Sequence, residues 1–106
     1  MEINISVWLT RFYSLFLELE YLLTDKNSLC SDTKNTPVDT EEMCKNASDK
    51  IKEQITESEF KGAVLKEHWP RGCYLVTSPS QVWFNLHPVG SSNNQAHHIC
   101  NIRGKQ

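Results

Sequence analysis

Residues 69–90 read WPRGCYLVTSPSQVWFNLHPVG, and this stretch decides the fold. It contains two β-rich runs, GCYLVT (72–77) and QVWFNL (81–86), on either side of Ser78-Pro79-Ser80. β-Branched and aromatic residues on both sides of a Ser/Pro insert predict an antiparallel hairpin, with proline where no ladder amide is needed. The period of two places Cys73 and Leu75 on one face and Tyr74 and Val76 on the other. In the second run, Val82, Phe84 and Leu86 oppose Trp83 and Asn85. Working outward, residues 88–96 (PVGSSNNQA) read as a polar loop and HHICNI as a last short strand.

Upstream, residues 39–55 (DTEEMCKNASDKIKEQI) predict the main helix. Asp39 is placed to cap the amide of Glu42 while Glu42 reaches back, a capping box with Asp in the Ser/Thr position. Glu41 and Glu42 suit the positive end of the helix dipole. Cys44, Ala47, Ile51 and Ile55 form one apolar stripe, so Cys44 points at whatever the helix packs against. Residues 24–39 are rich in Asp, Asn, Ser, Thr and Pro and predict a loop that Cys30 would tether. Residues 56–68 fit either a helical turn or a short strand, with Gly62 weakening both.

Cys30, Cys44, Cys73 and Cys100 are even in number and widely spaced, with no Cys-x-x-Cys. In a chain of 106 residues this favours two structural disulfides and an oxidising compartment over a zinc ribbon or a redox centre. Three pairings are open. A helix stapled to the hairpin favours Cys44–Cys73, leaving Cys30–Cys100 to tie the upstream loop to the last strand.

The amino-terminal stretch VWLTRFYSLFLELEYLL is apolar, but Arg11, Glu18 and Glu20 interrupt it. It lacks the unbroken core and small-residue cleavage site of a secretory signal, and it is too charged for a membrane span. Trp8, Phe12, Leu15, Phe16, Leu19, Leu22 and Leu23 share one helical face. Residues 1–28 are therefore expected to be an amphipathic helix or a degenerate signal segment, and residues 29–106 the cysteine-containing domain.

The formal charge of −2 hides an asymmetry. Every Asp and Glu lies at or before Glu67, whereas residues 69–106 carry only Arg71, Arg103 and Lys105 as full charges. A net acidic chain argues against general nucleic-acid binding. His68, His87, His97 and His98 are read as exposed or edge residues rather than zinc ligands, because His97 and His98 point oppositely in an extended segment. No phosphate-binding glycine loop or Gly-x-Ser-x-Gly elbow occurs. Cys73 is better explained as a half-cystine than as a nucleophile. The expectation is a protein with no catalytic residues, no metal and no cofactor.

The combination of TEEMC, WPRGCYLV, VWFNLHPVGS and HHICN resembles a small cysteine-containing domain found in predicted proteins of marine microbes and invertebrates. The resemblance covers about residues 30–106 and implies a disulfide-linked extracellular module with no known activity. A looser likeness is to the PAN/apple fold, which also pins a helix cysteine to a sheet. That analogy concerns fold and does not fix function.

The expected architecture is α+β: one main helix on a short antiparallel sheet, two disulfides and an additional N-terminal helix. The expected role is extracellular recognition of a protein or glycan ligand. Tyr74, Trp83 and Asn85 would form the contact face, and Asn46 of the sequon Asn46-Ala47-Ser48 would carry a glycan on the outer side of the helix. The alternative is an intracellular, reduced protein that binds metal or a helical partner through residues 7–23.

Overall fold

The hairpin forms as read. In the computed structural model, which describes residues 21–102, strands β4 (Pro70–Thr77) and β5 (Ser80–Gly90) pair in antiparallel register, with Cys73 opposite Phe84, Tyr74 opposite Trp83 and Leu75 opposite Val82. Ser78 and Pro79 make the two-residue turn, joined by a cis peptide bond. The remaining elements are β1 (Tyr21–Leu23), a 3-10 helix (Cys30–Thr33), β2 (Thr36–Pro37), helix α1 (Glu41–Gln54), β3 (Glu59–Val64) and β6 (His97–Asn101). They build a six-stranded sheet of order β1-β6-β4-β5-β3, with β2 also paired to β6. Leu22 and Leu23, assigned above to the apolar face of a helix, lie in β1 and pair with Cys100 and Ile99. The rest of the expected N-terminal helix falls outside the described residues.

The sheet is mixed rather than antiparallel, because β3 runs parallel to β5. Consecutive strands β3 and β4 flank β5 on opposite sides, so the short link between them must cross over that strand. This crossing carries Lys66 and Trp69 over the face of the sheet that bears Asn85.

Helix α1 starts one residue later than the capping pattern suggests. Thr40, not Asp39, is the N-cap, and its hydroxyl accepts from the Met43 amide at 3.1 Å. Asp39 therefore precedes the cap, while Glu41 and Glu42 do occupy the first turn. Cys44, Ala47, Ser48 and Ile51 are buried against the sheet, whereas Ile55, at the helix end, is 40 % exposed. The stripe packs with Tyr21, Leu23, Val38, Cys73, Leu75, Val82, Phe84 and Ile99 to form the main core, with Met43 and Phe60 partly buried against it. Leu86, expected to continue the Val82–Phe84 face, is exposed. Between Gly72 and Pro70 the β4–β5 register jumps, and β5 bulges outward there.

All four cysteines are bonded. Cys44–Cys73 joins the helix to β4 with α-carbons 5.3 Å apart, and Cys30–Cys100 joins the 3-10 helix to β6 at 5.6 Å. The first lies within the main core and the second within a separate cluster of Leu22 and Ile102. Because alternate residues face opposite ways, the two bridges pin opposite faces of one sheet. They are also nested, the 44–73 loop lying inside the 30–100 loop.

Gly72 has φ +82°, and a β-carbon there would lie 2.4 Å from the Val38 carbonyl oxygen. That oxygen belongs to backbone on the path from β2 into α1, which cannot yield without moving the helix start. Gly72→Ala is expected to destabilise by at least about 2 kcal/mol, from left-handed strain plus the clash. Urea denaturation checks this, and an unchanged midpoint would contradict the close approach.

Candidate functional site

The outer face of the sheet, opposite α1, carries an open groove of about 300 Å³. Its position follows from strand alternation. The cross-strand pairs Tyr74–Trp83 and Val76–Gln81 project from β4 and β5 on this side, and Val64 joins them from β3. Trp69 arrives from the link between β3 and β4, and its ring stacks on Tyr74 with centroids 5.2 Å apart and planes 21° from parallel. Lys66, Gln95 and the Ser78-Pro79 turn complete the walls. Among the described residues, no carboxylate lines this groove.

The three residues expected as a contact face have separate fates. Trp83 is half-buried and lines the groove. Tyr74 also lines it but is only 3 % exposed, so it supports Trp69 more than it offers surface. Burial pushes its phenol up to about 12, keeping it neutral throughout the physiological range.

Asn85 is not an available contact at all. It is 1 % exposed, enclosed beneath the β3–β4 link where that link crosses β5. Its amide nitrogen donates to the carbonyls of Lys66 at 2.7 Å, Trp69 at 3.0 Å and Pro70 at 3.0 Å. Its amide oxygen accepts from the backbone N–H groups of Lys66 at 2.9 Å and His87 at 3.2 Å. A link passing over a sheet face has no ladder to satisfy its backbone groups. One asparagine, having both donors and an acceptor, meets that need. Asn85 thus positions Trp69 and Lys66 rather than touching a ligand.

The histidines also divide. His87 lies in the β5 bulge, where its Nδ1 accepts from the amides of Val89 and Gly90. His97 Nδ1 lies 2.8 Å from the Thr24 carbonyl oxygen. His98, expected at an edge or in solvent, is instead 3 % exposed, because β6 is an interior strand flanked on both sides. Among the described residues, no three His, Cys, Asp or Glu side chains are grouped to hold a metal ion. Cys73 is disulfide-bonded and so has no thiolate to offer His87. Asn46 is exposed on α1, with its amide donating to the Tyr21 hydroxyl at 3.3 Å, while Ser48 of the same sequon is buried.

Among the described residues, the groove is lined by the indoles of Trp69 and Trp83, the side chains of Gln81 and Gln95, and one cation, Lys66. It combines flat apolar contact with a few polar groups that orient a ligand. No protein-family model matches this chain, and no curated protein or solved structure matches it either. Among the described residues, no helix is long and apolar enough to cross a membrane.

Proposed function

We propose that this chain is an extracellular, non-catalytic recognition domain whose outer-face groove binds a sugar ring of a glycan. One observation carries the reading. Two tryptophan and two glutamine side chains line a groove that, among the described residues, has no carboxylate in its walls, on a disulfide-pinned sheet. A pyranose has an apolar C–H face that suits an indole ring and equatorial hydroxyls that suit amides. Open on one side and about 300 Å³ in volume, the groove matches one or two such rings better than an extended peptide strand. Two disulfides pin the sheet beneath it, and a constrained site loses less entropy on binding.

Two further features support an extracellular setting. Paired cysteines in a small domain fit an oxidising compartment. Asn46 lies on α1, across the sheet from the groove, so a glycan attached there leaves the groove open.

Titration with soluble oligosaccharides of hexose and N-acetylhexosamine units, followed by tryptophan fluorescence and calorimetry, tests the proposal. At least one member is expected to bind, and Trp83→Ala is expected to weaken it about tenfold or more. Trp83 is half-buried, so losing its contact with Tyr74 and part of its buried area should lower stability by about 1–2 kcal/mol, and circular dichroism of the variant checks that it is folded. Absence of binding across the panel, or binding indifferent to Trp83, would abandon the glycan reading.

A further inference from the structure

His98 is the most enclosed titratable group among the described residues that has a resolved hydrogen-bond geometry on both ring nitrogens. Its Nδ1 accepts from the backbone N–H of Cys30 at 2.9 Å. Its Nε2 faces the backbone carbonyl of Arg71 at 2.6 Å. A backbone N–H can only donate and a carbonyl can only accept, so the tautomer is fixed. The proton sits on Nε2, and Nδ1 must be bare. The imidazole therefore bridges two separate parts of the chain, the 3-10 helix at Cys30 and strand β4 at Arg71.

Protonation of Nδ1 removes the acceptor and sets an N–H against an N–H. It also places a cation in a 3 % exposed site. The groups facing the ring are few. Arg71 on β4 opposes a positive imidazole, and Asp32 on the 3-10 helix favours one. Tyr74, its register partner on β4, stays neutral because its phenol is pushed up to about 12. Thr24 contributes only uncharged contacts: its hydroxyl accepts from the His98 amide, and its amide donates to the His98 carbonyl.

We propose that His98 is an acid-sensitive latch that holds residues 24–35 against the sheet at neutral pH and releases them in acid. Pairing of β1 and β2 with β6 holds the segment at both ends and the Cys30–Cys100 disulfide holds its middle, so the release is a local loosening that reverses when the pH returns. The main core, on the other face, contains no residue of the 24–35 segment and stays packed while the latch is open.

The direction of the pH effect follows from linkage. Burial, the largest influence, holds the His98 pKa below its ordinary 6.5, with the Arg71 charge acting the same way and the Arg71 carbonyl and Asp32 opposing. The folded, latched state thus binds fewer protons than the open one. Its advantage is complete above 6.5 and is lost as pH falls through the lower folded-state value. Between 6.5 and that lower value each pH unit shifts the latched-to-open ratio by up to about tenfold, and below it, with both states protonated, the ratio levels off.

Amide hydrogen exchange at about pH 7.5 and about pH 5 tests the latch, with rates corrected for intrinsic exchange. Protection at Cys30, Asp32 and Lys34 is expected to fall in acid by a clearly larger factor than protection across β4 and β5. Ring nitrogen shifts of the unmodified protein provide a readout that needs no variant: Nδ1 should be bare at neutral pH and should gain its proton in step with the loss of Cys30 protection. His98→Asn retains an acceptor at the Nδ1 position but cannot titrate, and is expected to flatten the pH dependence. Uniform loss of protection, an Nδ1 already protonated at neutral pH, or an unchanged profile in a folded His98→Asn protein would overturn the proposal.

Discussion

Treatment with a thiol reductant is expected to unfold the domain at room temperature. The bridges span sequence separations of 29 for Cys44–Cys73 and 70 for Cys30–Cys100. Chain-entropy arithmetic assigns about 3.5 kcal/mol to the inner loop. Nesting shortens the effective outer loop to about 40 residues, which leaves it worth about 4 kcal/mol. Together these approach the entire stability of a domain this size, about 5–10 kcal/mol. Intact mass should first register four hydrogens fewer in the native protein than in the reduced one, and circular dichroism should then show cooperative loss of structure on reduction. Four free thiols in native protein from its own source would overturn both this expectation and the extracellular reading. Replacing either bridge by alanines carries an extra cavity penalty, because all four cysteines are fully buried, Cys44 and Cys73 in the main core and Cys30 and Cys100 in the second cluster.

Asn85→Ala is expected to be the most damaging single substitution of an uncharged polar residue, at about 3 kcal/mol or more. It strips partners from three carbonyls and two amides at once, in a place that is 1 % exposed. Each buried group left unsatisfied costs about 1–3 kcal/mol, reduced where water can enter. Chemical denaturation measures the loss. The same experiment separates a positioning residue from a ligand contact. A contact residue removed from a groove wall would leave stability nearly unchanged and reduce binding alone. Asn85→Ala should lower stability first and impair glycan binding through the displaced Trp69.

The hairpin and the helix were legible because their signals are local: alternating apolar residues about a Ser-Pro turn, and a helix stripe beginning at Cys44. That same stripe made Cys44–Cys73 the favoured pairing. The parallel approach of β3 to β5 left no such signal, since residues 56–68 show neither helical nor strand periodicity clearly and the pairing is long-range. Asn85 carried a hint that went unused. Asparagine is a poor strand former, and one placed between Phe84 and Leu86 calls for a backbone task. His98 carried a clearer one. It lies two residues from Cys100 and therefore on the same face as a half-cystine, which marks that face as buried. Tyr21–Leu23 could not be distinguished from a helix tail, because three apolar residues fit either period.

The outer bridge also determines what a protease leaves behind. A single backbone cut anywhere between Cys30 and Cys100 produces two pieces that remain one covalent molecule, and a cut between Cys44 and Cys73 leaves them doubly joined. The exposed tips near Pro79 and Asn94 can therefore be nicked without fragment loss. Such a molecule keeps its size on a non-reducing gel and separates only when its sulfurs are reduced.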